Sequence, residues 1–511
     1  MGIFSSYFPL GLGTSRFPVS GPGDTAGIDK SIAIVRHALD AGVNYIDTAY
    51  PYSAGMAQAV LKEAFAQTAQ PFGVTVKVMH DMDKTADDAR RRVEMQLKAM
   101  GLDKAAFFMC WTITGYSVFQ DIMQKGGIYD GALRLKDEGI IDHICFSAHA
   151  PPDDIINIIK SGAFDGATLY YNITNAAVMQ PVLDAAHGSG IDVAVMGPLG
   201  GGLIAQNPEF FDFARSGGDG GIAQAAMRFA KAHPAVKIVL SGISCVQETD
   251  ENIRVFTSEN TEPDEARLAR VLCSVNELPA FCTGCNYCEG CPEGIPVSEI
   301  MTKRNKLLFI PKETYNRDNP DLIRNLNLFR SHSGEWLPDS SVNPCTRCGQ
   351  CEVKCTQNLS IIEGIADMFS RADEAGFSLA ARRDRLRELL AGKGFKRVGL
   401  YPNGGFANLV IEYYERFFGK PEFEWLQFNS DPKMWGQESG GLPVYSPGDI
   451  NTLKLDIIVI CTYKYDNEIY NDLNRSRQGR HGKQAEEPSP CLPCLPDLQK
   501  LHRKTDVPWV F

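Results

Sequence analysis

His143-Ile-Cys-Phe-Ser147, Ala167-Thr-Leu-Tyr-Tyr171 and Asp192-Val-Ala-Val-Met196 are three short apolar runs, and helical patterns lie between them. A short apolar run bounded by turn residues reads as a buried strand, and strands alternating with helices build a parallel sheet. The alternation extends in both directions. Upstream lie Leu10–Thr14, Tyr45–Thr48, Gly73–Val78 and Ala106–Trp111, and downstream lies Val236–Ser241. Ile28–Ala41 places Ile28, Ile32, Val35 and Leu39 on one helix face, and Asp87–Met100 repeats the pattern with Arg90 to Arg92 on the wet side. Eight strand–helix units in roughly 260 residues predict an α/β fold, a (β/α)8 TIM barrel. The alternative is an open doubly wound sheet, which needs a Gly-rich phosphate loop after an early strand, and Gly11-Leu-Gly13 is a poor match to one.

The whole chain has 511 residues, 44% hydrophobic and 22% charged, with a formal charge of -11. That length predicts about three domains. The negative charge argues against nucleic acid or an anionic membrane as a partner. No apolar run reaches transmembrane length, and the first ten residues lack the basic flank of a signal peptide.

Beyond the barrel region two cysteine runs follow: Cys282-Thr-Gly-Cys285-Asn-Tyr-Cys288-Glu-Gly-Cys291, and Cys345-Thr-Arg-Cys348-Gly-Gln-Cys351-Glu-Val-Lys-Cys355. Three cysteines at two-residue spacing wrap one corner of an iron–sulfur cubane. In the bacterial ferredoxin arrangement the fourth cysteine of each run ligates the other cluster. Carried over, one [4Fe–4S] cluster takes Cys282, Cys285, Cys288 and Cys355, and the other takes Cys345, Cys348, Cys351 and Cys291. The first run has two residues rather than three before its fourth cysteine, and the second lacks the following proline. A zinc ribbon uses cysteines in pairs, and a disulfide framework suits a small secreted domain. Thiolate-held clusters need a reducing compartment, so the chain reads as cytoplasmic.

The expected organisation is a barrel over residues 1–276, a helical ferredoxin-like two-cluster domain over 277–392, a small Rossmann-like α/β domain over 393–475 and an extended tail over 476–511. Thr261–Leu278, Val297–Leu308, Pro320–Phe329, Ile361–Ala375 and Leu379–Ala391 carry helical patterns. In the third domain a strand at Arg397 precedes a Gly404-Gly405 turn and the helix Ala407–Phe418. Strands at Glu424–Phe428 and Asp456–Cys461 and a helix at Glu468–Leu473 follow. The Gly-Gly turn is a weak phosphate signal, and Cys491 and Cys494 form a lone pair with no assigned role.

Barrel chemistry sits at the C-terminal strand ends. Those ends present Asp47 with Tyr52 beyond it, Lys77, Trp111, Ser147 with His149, Tyr171 with Asn172, Gly197-Pro-Leu-Gly200-Gly-Gly, and Ser241-Gly242. Asp47-Thr-Ala-Tyr-Pro-Tyr52, Lys77, the Gly197-Pro198-Leu199-Gly200 element and the late Glu251-Asn252 resemble the aldo/keto reductases. With the appended cysteine runs, the chain is similar to the ferredoxin-fused branch of that family. The resemblance implies Tyr52 as general acid/base with Lys77 and Asp47, and a dinucleotide held by Ser147, Asn172, Met196, Gly197, Leu199, Ser241, Gly242, Glu248 and Asn252. Independently of the name, a phenol has an ordinary pKa near 10, and a lysine beside it stabilises phenolate. The chain departs from the family pattern at three places. Trp111 stands where a histidine is usual, Met196 where an aromatic stacks on nicotinamide, and Thr168 where a glutamine is expected. His149 is the stand-in for the missing histidine. Glu248 occupies a position often held by arginine in NADP-preferring members, so NAD(H) is expected over NADP(H).

The expectation is an iron–sulfur oxidoreductase acting on a carbonyl or alcohol of a small, sugar-like substrate. A hydride carries two electrons and a cubane accepts one. Exchange between them needs an intermediary such as flavin, which a barrel can hold without a signature. Two other readings stand beside it. One is an electron-transfer subunit serving a ferredoxin-type partner, and the other is a scaffold binding a nucleotide sugar.

Overall fold

The computed structural model describes residues 2–259, 262–275, 278, 280–310, 343–374, 379–403 and 405–460. The expected helices Pro320–Phe329 and Glu468–Leu473, the tail and the Cys491/Cys494 pair lie outside the described residues.

Eight parallel strands close into a barrel. They are β1 (Leu10–Gly13), β2 (Tyr45–Asp47), β3 (Gly73–Met79), β4 (Ala105–Ile113), β5 (Ile141–Ala148), β6 (Gly166–Tyr170), β7 (Asp192–Met196) and β8 (Val236–Gly242). Closure is made where β1 pairs with β8, Leu10 opposite Val239 and Gly13 opposite Gly242. Between the strands run α1 (Thr25–Asp40), α2 (Ala57–Phe65), α3 (Ala86–Met100), α4 (Tyr116–Ile122), α5 (Ile128–Asp137) and α6 (Pro152–Lys160). They continue with α7 (Ala176–Gly188), α8 (Leu203–Gln206), α9 (Ile222–Ala232), α10 (Val246–Thr257) and α11 (Asp264–Val275). Local chemistry sets the helix ends. In α3, Thr85 and Asp88 form a reciprocal capping box and Gly101 closes the helix in the left-handed region.

The lumen is packed by Tyr45, Phe107, Met109, Cys145, Ala194, Ile238 and Leu240, and Phe4 joins them from the N-terminal segment. Phe4 is fully buried, its ring 5.4 Å from Tyr45 and 5.2 Å from Phe107. Its backbone N–H donates to Asp192 Oδ2 at 2.9 Å, at the entry of β7. With that end filled, the opposite mouth is left for chemistry.

By packing, the chain divides into two compact units. The first is Met1–Cys285 with Val353–Leu359, and the second comprises the described parts of Asn286–Glu352 and Ser360–Phe511. The first cysteine run is therefore split, with Cys282, Cys285 and Cys355 belonging to the barrel's unit. In the second unit α12 (Val297–Leu307), α13 (Gln350–Val353, its last residue in the first unit), α14 (Ile361–Glu374) and α15 (Leu379–Leu389) precede an α/β sheet. That sheet has the order β11-β12-β10-β9-β13. Its strands are β9 (Arg397–Tyr401), β10 (Glu424–Phe428), β11 (Glu438–Ser439), β12 (Leu442–Tyr445) and β13 (Ile457–Ile460), with α16 (Gly405–Phe418) following β9. The hairpin β11–β12 escapes sequence reading because its first strand is two residues long and its second contains Pro443. No described helix is long and apolar enough to cross a membrane.

Candidate active site

The mouth is organised by the adjacency of β2, β3 and β4. Asp47 ends β2 and Lys77 lies on β3, opposite Met109 of β4. Both side chains point into the barrel and are buried, 5% and 4% exposed. Lys77 Nζ donates to Asp47 Oδ2 at 2.8 Å and to Tyr52 Oη at 2.9 Å. The rings of Trp111 and Tyr52 meet edge to face, centroids 5.9 Å apart at 83°. Lys77 Nζ stands 4.8 Å from the Tyr52 ring centroid and 5.5 Å from that of Trp111. The sequence thus brings Asp47, Tyr52, Lys77 and Trp111 to one point.

The net proton affinity of Tyr52 differs from the expectation. Burial pushes the phenol up, and the neighbouring Lys77 pulls it down by less, so the group lies above its ordinary range. Tyr52 is a neutral proton donor here. Burial also acts against the Lys77 ammonium, but Asp47 and Tyr52 more than restore it, and it stays charged. His149 is held neutral, its pKa pushed down to about 4 by burial and then by Lys77. A histidine protonated when unfolded but not when folded costs stability as pH falls from its unfolded value, near 6.5, toward 4. His149→Gln is therefore expected to flatten the loss of melting temperature over that window. An unchanged pH dependence would refute this.

A cavity of about 270 Å³ opens beside these groups, lined by Asp47, Tyr52, Lys77, Trp111, Ser147, Thr168, the Met196–Leu199 turn, Gly201, Gly202, Ser241 and Gly242. Most of the expected cofactor residues line it. Three do other work. Asn172 is fully buried and donates from Nδ2 to the Gly197 carbonyl at 2.8 Å, fixing that turn. Asn252 Nδ2 donates to Ser241 Oγ at 3.0 Å. Glu248 Oε2 accepts from the Ser244 N–H at 2.7 Å and from its hydroxyl at 2.9 Å. His149 stands beside the Tyr170 ring, centroids 6.2 Å apart. Tyr171 turns away to stack on Phe229 at 5.6 Å.

Sequence reading missed Arg16, which also lines the cavity. Its stem lies over Gly242, where an added Cβ would fall 2.8 Å from Arg16 Cδ, and its Nη2 points at Gly201. Arg16 forms no ion pair with any described residue. Asp47, which lines the cavity, has a buried Oδ1 that accepts no hydrogen bond from the described residues. An orphaned carboxylate oxygen and an uncompensated guanidinium suit a ligand with a hydroxyl and an anionic group, which ribose and diphosphate supply.

None of the described cysteines is in a disulfide. The Cys282 thiol interacts electrostatically with those of Cys285 and Cys355, and burial pushes it up to about 11. Cys282 Sγ accepts the Gly284 N–H at 3.4 Å, and Cys355 Sγ accepts the Leu359 N–H at 3.4 Å. Both runs repeat one backbone device. Gly284 and Asn286 in the first, and Arg347 and Gly349 in the second, are left-handed at the same two offsets, φ between 59° and 76°. Successive turns of this kind aim N–H groups inward and form anion cradles, as at many iron–sulfur sites. Among the described residues no three His, Cys, Asp or Glu side chains converge on a single metal ion. A cubane offers a separate iron to each thiolate and spreads them wider, so the donor chemistry still fits one.

The aldo/keto reductase family model matches residues 9–272. L-galactose dehydrogenase of Arabidopsis thaliana is 22% identical over 270 residues, covering 48% of this chain and 83% of that protein. Among solved structures, an aldo-keto reductase from Bacillus halodurans in holo form aligns with TM-score 0.45 and 17% identity, over 54% of this chain and 94% of that one. An aldo-keto reductase from Klebsiella pneumoniae in complex with NADPH aligns with TM-score 0.43 and 17% identity, over 52% and 90%.

Proposed function

The chain belongs to the aldo/keto reductase family as an oxidoreductase of that type, and from this premise we propose that it interconverts a carbonyl and an alcohol on a small, sugar-like substrate. The observation that carries the reading is the Asp47–Lys77–Tyr52 chain of hydrogen bonds, 2.8 and 2.9 Å, at the floor of a cavity in the barrel mouth. The dehydrogenase relative, named for L-galactose, supports a sugar-like substrate.

A nicotinamide bound in this cavity would supply the hydride. The protein's own part is proton delivery and charge control. Tyr52, a phenol whose titration burial pushes further above neutral pH, donates its proton to the substrate oxygen as negative charge develops there. The Lys77 ammonium, 2.9 Å away, takes up the charge left on the phenolate. Asp47 balances Lys77 in the resting site, so the lysine is not an unpaired buried cation. The Trp111 ring packs at right angles to the phenol, and neutral His149 adds no charge that would compete with Lys77.

NAD(H) is the proposed dinucleotide, because the Glu248 carboxylate at the adenosine end repels a 2′-phosphate. Arg16 and the Gly201–Gly202 turn would hold the diphosphate, and Asp47 Oδ1 would accept a ribose hydroxyl. Arg16→Gln is expected to weaken NADH binding about 10–100-fold, the worth of a charged hydrogen bond. Calorimetry giving equal affinities for both proteins would remove Arg16 from the site. Turnover of NADH against a panel of aldoses and ketoses, followed at 340 nm, tests the activity itself. Oxidation of NADH with none of them would sink the reading.

The cysteine runs are proposed to hold two [4Fe–4S] clusters. Cys282, Cys285 and Cys355, with Cys288 next in the run, ligate one, and Cys345, Cys348, Cys351 and Cys291 ligate the other. Anaerobic purification is expected to yield about eight irons and eight sulfides per chain. Stoichiometric zinc without sulfide would overturn it.

A further inference from the structure

Tyr52 stands on no strand or helix, so the place of its phenol depends on what holds the loop between β2 and α2. Part of that loop closes on itself. The Tyr52 N–H donates to the Ala49 carbonyl at 3.1 Å, and the Tyr52 carbonyl accepts from Gly55 at 3.1 Å and from Ala57 at 3.2 Å. Three consecutive left-handed residues make the turn: Ser53 at φ 51°, Ala54 at 54° and Gly55 at 77°. Glycine takes that conformation readily, whereas serine and alanine adopt it against their Cβ. Two such residues in succession persist where the surroundings hold them there, and strain of this kind gathers at functional sites.

The Ser53 side chain supplies a hold from outside the loop. Its hydroxyl donates to the Thr14 carbonyl at 2.7 Å, 39 residues back along the chain. That anchor is itself fixed. Thr14 is fully buried, and its Oγ1 donates to Thr48 Oγ1 at 2.9 Å. The Thr48 N–H donates to Thr75 Oγ1 at 2.9 Å, and the Thr75 hydroxyl returns to the Thr48 carbonyl at 3.1 Å. Thr48 directly follows Asp47, and Thr75 lies two residues before Lys77. One threonine frame thus ties together the segments that carry Asp47 and Lys77, and Ser53 fastens the loop of Tyr52 to it. Thr14 also opens the turn Thr14–Arg16, whose Ser15 and Arg16 line the cavity.

We propose that Ser53 is a positioning residue for the reduction: its bond to the Thr14 carbonyl fixes the left-handed loop and so sets Tyr52 Oη against Lys77 Nζ. The proposal rests on the proton-donor reading of Tyr52. The Nζ–Oη distance of 2.9 Å leaves little tolerance. A displacement of about 1 Å breaks such a bond and costs on the order of 10²-fold in rate. Ser53 is not part of the cavity lining and acts through its neighbour.

The test is a double-mutant cycle in NADH-dependent reduction of the aldose or ketose that the wild type turns over fastest. Ser53→Gly removes the hydroxyl and suits the left-handed backbone. It is expected to lower kcat about 10–100-fold with NADH affinity unchanged. Ser53→Ala lacks the same hydroxyl but keeps the steric cost, and it is expected to lose kcat to a similar degree. In a Tyr52→Phe background, Ser53→Gly is expected to have no further effect, because residues that act as a unit are not additive. A merely structural role would lower kcat alike on both backgrounds. Wild-type kcat in Ser53→Gly, or an equal loss on both backgrounds, would overturn the role of Ser53 and leave that of Tyr52 standing. Wild-type kcat in Tyr52→Phe would overturn the Tyr52 reading, and failure to oxidise NADH with any aldose or ketose would overturn the activity, each taking the role of Ser53 with it.

Discussion

Tyr52→Phe is expected to lower kcat for NADH-dependent carbonyl reduction by about 10²–10⁴-fold, the usual worth of a positioned proton donor. The substitution removes one oxygen and little else. The ring keeps its edge contact with Trp111, and Lys77 keeps its 2.8 Å bond to Asp47. The lysine loses one acceptor at 2.9 Å, but its charge remains balanced. NADH affinity and iron content should therefore hold, and the loss should fall on kcat rather than KM, since a proton transferred only in the transition state is not felt by the bound ground state. The pH dependence should follow. Because burial outweighs Lys77, the phenol titrates above its ordinary range, so reduction should not decline from loss of this proton at neutral or mildly alkaline pH. A variant that retains wild-type kcat would remove Tyr52 from the chemistry.

Asp219→Ala is expected to destabilise the barrel by about 3–5 kcal/mol, the cost of breaking a buried ion pair from one side. Asp219 receives Arg228 Nη1 at 2.9 Å and Arg267 Nη1 at 2.8 Å, and both arginines are buried, 3% and 0% exposed. Arg267 also donates to Ser216 Oγ at 2.8 Å, and Arg270 donates to the Phe213 and Ala214 carbonyls. Three guanidinium groups from α9 and α11 thus clamp residues 213–219. Removing the carboxylate takes the ion-pair partner from buried Arg228 and leaves buried Arg267 with the more distant Glu262, 3.5 Å from its Nε. Burial raises the Asp219 pKa, but the Arg267 hydrogen bond, the Ser216 N–H and the two positive charges win, and the net direction is downward. Its stabilising contribution is therefore complete above the unfolded carboxylate range and lost as pH falls through the folded value. Chemical denaturation at neutral pH checks the size. A change below about 1 kcal/mol, the range of an exposed pair, would show the clamp to be dispensable.

The strand positions were legible because each strand is an apolar run with a local boundary. Asp192–Met196 and Glu424–Phe428 match to the residue, and the other barrel strands differ by one or two residues at either end. Asp47, Tyr52 and Lys77 were legible for a related reason. Neighbouring strands of a parallel barrel bring their C-terminal ends together, so sequence offsets translate directly into proximity.

Other features depend on residues that meet only when the barrel closes. Arg16 lies over Gly242 and faces Gly201, about two hundred residues away, because β1 pairs with β8 and the turn after β7 folds over that seam. Nothing in Thr14-Ser15-Arg16 announces it. Asp219 and Arg267, 48 residues apart in the sequence, likewise meet only in the folded unit. The direction of the Tyr52 pKa was decided there as well. Sequence names the neighbouring lysine, but only packing determines how much water is excluded, and here desolvation outweighs the charge. Short-range periodicity therefore fixed which groups this protein has and on which strands they stand. The three-dimensional closure decided which of them touch, and how dry they are when they do.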